Sequence, residues 1–128
     1  MIFGIGVDTM EVARIAETIT QYSNQFVRRI FTNSEISYCL SHRFSAEHFA
    51  ARFAAKEAFS KALGTGIRQG FVWREVEVGK EFSGKPRIVI HGSMIEKVTN
   101  IVGRDYRVQL SMTHTKNVAE AVVVIEKL

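Results

Sequence analysis

The chain opens with a short apolar run, Ile2 to Val7, which reads as a strand. Asp8-Thr9-Met10-Glu11 then has the form of a helix start, a cap residue followed three positions later by a glutamate. Val12, Ile15, Ala16 and Ile19 recur at helical spacing, so a first helix is expected to run to about Thr20 or Tyr22. Phe26 to Phe31 predicts a short helical turn or a packed loop. Asn33 or Ser34 is placed to cap a helix through Leu40. A longer helix is expected from about Ala46 to Leu63. Gly64-Thr65-Gly66 ends it, since glycine suits a left-handed C-terminal cap.

Beyond that helix the apolar period changes from about 3.6 to about 2. Val72, Arg74, Val76, Glu77 and Val78 sit in a strand-like segment with Trp73, Ser83-Gly84-Lys85-Pro86 forms a turn, and Arg87 to His91 returns as a second strand. Ser93 to Val98 opens a helix that ends near Gly103. Tyr106, Val108, Leu110 and Met112 face one side of a further strand, with Arg107, Gln109 and Ser111 on the other; Ala119 to Ile125 supplies the last strand after a turn at Lys116-Asn117. A strand, several helices, a hairpin, a helix and a hairpin predict an α+β fold, a small antiparallel β-sheet packed with helices.

With 128 residues, 46% of them apolar, and Pro86 as its only proline, the chain is expected to form one domain over residues 1–128 without linker or disordered tail. A net charge of +4 favours anionic partners: nucleic acid, phosphorylated small molecules or an acidic protein. Lys and Arg are spread over both halves, so nucleic-acid binding gains little support. Cys39 is the single cysteine, which excludes an internal disulfide and a zinc site built on cysteine pairs, and fits a reduced cytoplasmic setting. The opening run lacks a basic leader and is cut short by Asp8, and no apolar run is long enough to span a membrane.

The stretch from Arg52 to Gly66 sets ionisable residues into an alanine- and phenylalanine-rich helix. Glu57 falls between Phe53 and Ala50 on the helix circumference, with Lys61 one turn on. Burying a carboxylate costs several kcal/mol unless a cation, a metal or hydrogen bonds compensate, so Glu57 implies either an i,i+4 pair with Lys61 or a binding site. Asp8 is either the cap of the first helix or, with Glu57, half of an oxygen-donor pair suited to a hard cation such as Mg²⁺. His114 ends an apolar strand face as a core histidine, or joins Thr113 and Thr115 as phosphate donors. Lys85-Pro86 is a hairpin turn with a lysine open to an anion, and Arg14, Arg28 and Arg29 are by default solvated helix charges.

Taken in order, Gly4-Ile5-Gly6-Val7-Asp8, the block Arg52 to Gly66, Gly84-Lys85-Pro86, and Ser111-Met112-Thr113-His114-Thr115 resemble the small bacterial holo-[acyl-carrier-protein] synthases of the 4′-phosphopantetheinyl transferase superfamily over nearly the whole chain. The resemblance implies transfer of the 4′-phosphopantetheine arm of coenzyme A to a serine of apo acyl carrier protein, in fatty acid biosynthesis. It implies Mg²⁺, with Mn²⁺ as a substitute, held by Asp8 and Glu57, and Lys61 at the pyrophosphate. Arg52, Lys85, Pro86, His114 and Thr115 are implied on the coenzyme A side, and Arg14, Phe26, Arg28 and Arg29 on the carrier side. A homotrimer with sites between subunits is implied as well. The alternatives are a transferase for polyketide or peptide carriers and a non-catalytic basic nucleic-acid-binding module.

Overall fold

The computed structural model describes residues 1–68 and 70–128. Strand β1 (Ile2–Glu11) leads into helix α1 (Val12–Ile30), followed by α2 (Asn33–Leu40) and α3 (Ser45–Leu63). A single 3₁₀ turn (Trp73–Glu75) precedes the hairpin β2 (Val76–Lys80) and β3 (Pro86–Ile90). Helix α4 (Ser93–Val102) and the hairpin β4 (Tyr106–His114) and β5 (Val118–Lys127) complete the chain. Among the described residues no helix is long and apolar enough to cross a membrane.

The strands form a three-stranded antiparallel sheet in the order β1-β5-β4 and a separate two-stranded ribbon, β2-β3. The α+β class expected from the sequence therefore holds. The helix start expected at Asp8 does not. β1 stays paired with β5 as far as Glu11 opposite Val118, and the Val12 amide donates to the Asn117 carbonyl at 2.9 Å, so the ladder takes the backbone groups a cap would use. Helix α1 begins without a side-chain cap. It also runs past Tyr22 to Ile30, interrupted at Ser23, whose φ of 47° breaks the helical path.

One face of the sheet packs on α3. Met10, Leu110, Ala119, Ala121, Val123 and Ile125 meet Phe49, Ala54, Ala55, Ala58, Phe59 and Ala62, all buried, in one continuous core. Small residues bring α3 close to the sheet: a methyl group on Gly4 would overlap the carbonyl oxygen of Ala62, and one on Gly6 that of Ala58. Helix α3 ends as expected, at Gly64 in the left-handed region with φ 89°. The opposite face of the sheet is bare: Ile5, Val7 and Val122 are 60%, 56% and 41% exposed.

Helix α2 is capped by Thr32, one residue before the expected position. The Thr32 hydroxyl accepts from the Glu35 amide at 3.1 Å, and Glu35 accepts from the Thr32 amide at 2.8 Å. Glu35 does more than cap. Its Oε1 also accepts from Lys56 Nζ at 2.8 Å, and its Oε2 from the Val78 amide at 2.8 Å. Lys56 Nζ completes its donors on the carbonyls of Trp73 and Val76 at 2.9 and 2.8 Å. Both side chains are fully buried, and burial pulls the Lys56 ammonium down from its ordinary pKa against the upward pull of Glu35. Four segments, α2, α3, the 3₁₀ turn and β2, meet at this pair.

Removing one partner strands the other charge in the core. Lys56→Met is expected to cost about 3–5 kcal/mol of unfolding free energy, read as a lowered urea midpoint, and Glu35→Gln/Lys56→Met to recover part of that loss.

Candidate active site

Asp8 lies on the α3-facing side of β1, where Gly4 and Gly6 let strand and helix approach backbone to backbone. Across that contact Lys61 Nζ donates to Asp8 Oδ1 at 2.8 Å and to the Val7 carbonyl at 3.1 Å. Lys61 therefore pairs with Asp8, and the expected i,i+4 pair with Glu57 is not formed. The Asp8 side chain is 11% exposed and that of Lys61 50% exposed, so the carboxylate is sheltered and the ammonium reaches solvent. The hydrogen bond to Asp8 raises the Lys61 pKa, with burial opposing it.

Glu57 is half-buried and has no ion-pair partner among the described residues. Burial, then the charge of Asp8, pushes its carboxyl above the usual carboxylate range, with Lys61 and Arg14 opposing the rise. Asp8, Glu57 and Lys61 thus form one electrostatic group with excess negative charge. Asp8, paired with Lys61, and Glu57 offer oxygen donors of the kind a hard divalent cation takes. The described residues place no third His, Cys, Asp or Glu with them.

Glu57 also lines a pocket of about 370 Å³ with Met10, Arg14, Ile15, Thr18, Phe26 and Phe53. Thr18 and Phe26 also line a second pocket, with Tyr22, Gln25 and Arg29. Arg14, Arg28 and Arg29 are all exposed on α1, with Arg14 lining the Glu57 pocket and Arg29 the second one.

The other predicted residues lie elsewhere. Lys85 is exposed in the β2-β3 turn beside Pro86 and donates to Gln109 Oε1 at 3.2 Å. His114 is not a core histidine: its Nδ1 lies 3.0 Å from Glu47 Oε1. The Thr115 hydroxyl accepts from the amides of Asn117 and Val118, both at 3.2 Å, and so closes the β4-β5 turn. Arg52 is buried within this chain. It is only 3% exposed, with its guanidinium 4.0 Å over the Tyr38 ring and Nη1 donating to the His48 carbonyl at 3.5 Å. Five residues before Glu57, it sits on another side of α3, and its Nε has no hydrogen-bond partner among the described residues.

Sequence reasoning missed the aromatic group around Arg52. Tyr38, His42, His48 and His114 follow one another with ring centroids 4.5, 4.1 and 5.0 Å apart. Burial, then His42, His114 and Arg52, push the His48 imidazole down to about 4. These residues come from α2, the turn after it, α3 and β4, and no local spacing announces their meeting. Glu35 was within reach, since Thr32-x-x-Glu35 has the spacing of a capping box.

Residues 4–113 match the 4′-phosphopantetheinyl transferase superfamily. A holo-[acyl-carrier-protein] synthase of Koribacter versatilis is 47% identical over 98% of this chain and 99% of its own length. The crystal structure of the holo-[acyl-carrier-protein] synthase of Neisseria meningitidis has 37% identity and a TM-score of 0.87, covering 99% of this chain and 100% of that one. A holo-(acyl-carrier-protein) synthase from Bacillus anthracis, solved in complex with CoA (3′,5′-ADP), has 34% identity and a TM-score of 0.79, covering 100% and 99% of the two chains. The chain belongs to the 4′-phosphopantetheinyl transferase superfamily, and its relatives at full length are holo-[acyl-carrier-protein] synthases.

The close approach that forms the site makes it fragile at one position. Gly6→Ala places a methyl group on the Ala58 carbonyl and is expected to cost about 1–3 kcal/mol through displacement of β1, measured as a lowered denaturation midpoint.

Proposed function

We propose that this chain transfers the 4′-phosphopantetheine group of coenzyme A to a serine hydroxyl of apo acyl carrier protein, releasing adenosine 3′,5′-bisphosphate, in fatty acid biosynthesis. The observation that carries this reading is the meeting of Asp8, Glu57 and Lys61 across β1 and α3 in a chain of this family. Asp8 and Glu57 are the residues that would hold Mg²⁺, or Mn²⁺ in its place. When bound there, the ion supplies charge neutralisation at the pyrophosphate as the attacked phosphoryl group loosens.

The chain's own residues supply the rest. The Lys61 ammonium, held by Asp8 and reaching solvent, stabilises the charge that grows on the leaving phosphate. Lys85, Pro86, His114 and Thr115 belong to the coenzyme A side. Glu57 lines the pocket of Arg14 and Phe26, which supports approach of the carrier serine from that side, and the serine proton would pass to Glu57 or to a water held near it. Arg14, Arg28 and Arg29 meet acidic groups of the carrier, and Phe26 supplies apolar contact.

A homotrimer completes this reading. The bare face carrying Ile5, Val7 and Val122 has an apolar surface for neighbouring copies to cover. Glu47, beside His114, and Glu57 lie about 15 Å apart along α3, so one copy keeps its phosphate contacts well away from its own acid pair. A site shared between copies brings the two groups together. A cytoplasmic setting fits Cys39, which is fully buried and whose thiol burial pushes up to about 12.

Intact mass of apo acyl carrier protein incubated with this protein, coenzyme A and Mg²⁺ tests the reaction. A chelator-sensitive gain of one phosphopantetheine is expected. No gain with a folded enzyme and a competent carrier would overturn the assignment, whereas gain on polyketide or peptide carriers alone would change the carrier class.

Glu57→Gln is expected to abolish transfer while leaving the fold intact. Because burial and Asp8 raise the Glu57 carboxyl, a proton competes for it as pH falls, so apparent Mg²⁺ affinity weakens on acidification. The neutral amide relieves charge repulsion, so the thermal midpoint of the metal-free variant should match or exceed that of the parent at neutral pH. Unchanged turnover would remove the metal-ligand assignment.

Docking through Arg14, Arg28 and Arg29 predicts that KM for the carrier rises several-fold between about 0.05 and 0.5 M salt, with KM for coenzyme A less affected. A salt-independent carrier KM counts against that surface.

A further inference from the structure

Glu47 has no part in the reaction as described, yet it holds one of its residues. It lies in the first turn of α3, and its Oε1 is 3.0 Å from His114 Nδ1 at the end of β4. The two side chains are 17% and 32% exposed, so this contact is better shielded than an open surface pair. Glu47 also lines a pocket of about 590 Å³ that carries Arg43 and Lys116. A carboxylate beside two cations and an expected phosphate ligand repels the anion those groups would attract, so its placement calls for a compensating role.

The hydrogen bond supplies one. A carboxylate oxygen only accepts, so the Nδ1 that faces it must carry a proton, and Nε2 is turned to the other side of the ring. Turned over, the ring would lose this acceptor. His48 restricts the ring further: its imidazole stands edge-on to His114 with centroids 5.0 Å apart. With its pKa pushed down to about 4, His48 is neutral near pH 7 and adds bulk without positive charge. We propose that Glu47 is a positioning residue: through its hydrogen bond to Nδ1 it holds His114 with Nε2 presented to a phosphate of the nucleotide half of coenzyme A. This rests on the transfer reaction above and on His114 as a phosphate contact.

A carboxylate in the first helical turn also favours the helix dipole, and the test must separate that role from positioning. Steady-state kinetics of Glu47→Ala in the parent and in a His114→Ala background does so. Glu47→Ala is expected to raise KM for coenzyme A about tenfold in the parent, the scale of one charge-assisted hydrogen bond, with kcat and the carrier KM changed less than about twofold. In the His114→Ala background it should add nothing. Glu47→Gln should recover most of the loss, because its amide oxygen still accepts from Nδ1. An unchanged KM for Glu47→Ala, or an equal rise in both backgrounds, overturns the positioning role. If His114→Ala alone keeps the parental KM while the carrier still gains mass, the phosphate contact and this proposal both fail and the transferase reading stands. Absence of mass gain with the parent enzyme removes the transferase reading itself.

Discussion

The buried ion pair of Lys56 and Glu35 is the constraint on which the rest of the molecule hangs. Lys56 spends all three protons, on a carboxylate and two carbonyls, and Glu35 accepts from Lys56 and from two backbone amides. A pair with every donor and acceptor met survives desolvation, and it does so in only one arrangement of the segments that supply the partners. That arrangement fixes the rotation of α3. Glu57 follows Lys56 directly, so locking the ammonium into the α2 and β2 side turns the next residue about 100° around the helix, toward α1 and β1. The structural cation and the functional acid are adjacent in sequence because one orients the other.

Around that axis, α3 divides the chemistry by turns. Its C-terminal half meets β1 and gathers Asp8, Glu57 and Lys61. Its N-terminal half meets the end of β4 and gathers Glu47, His48 and His114. Between them Arg52 is folded inward against Tyr38, with its Nε lacking a partner. Burial first, then the neighbouring rings of His42 and His114, keep the His48 ring neutral, and the Arg52 guanidinium adds to that effect. This positive charge contributes to the surface chemistry through the groups it crowds.

The fold class, the helix α3 with its glycine stop and the two hairpins were legible in the sequence, because period and turn chemistry are local. The region from Asp8 to Glu11 was not. Its residues fit a helix cap as well as a strand, and the decision came from β5, more than a hundred residues away, whose backbone groups completed the ladder. The acid pair was visible as types in the right chemical company, but the partner of Lys61 was not, since an i,i+4 neighbour and a residue on another strand compete equally in one dimension. Arg52 shows a related limit: its place under Tyr38 and beside His48 comes from the meeting of α2 and α3 and has no local signature. The family resemblance supplied the reaction; only the fold shows which residues stand together.

Gly4 and Gly6 carry a final consequence. Where β1 crosses α3 the two elements touch through peptide groups, with no side chain between them. Side chains adjust by changing rotamer, whereas peptide groups have no such freedom, so the spacing of the two backbones that carry Asp8 and Glu57 is set by direct peptide contact. Volume exchanged among the surrounding core residues, from Phe49 and Phe59 to Val123 and Ile125, therefore has to be absorbed without parting β1 from α3 at this contact.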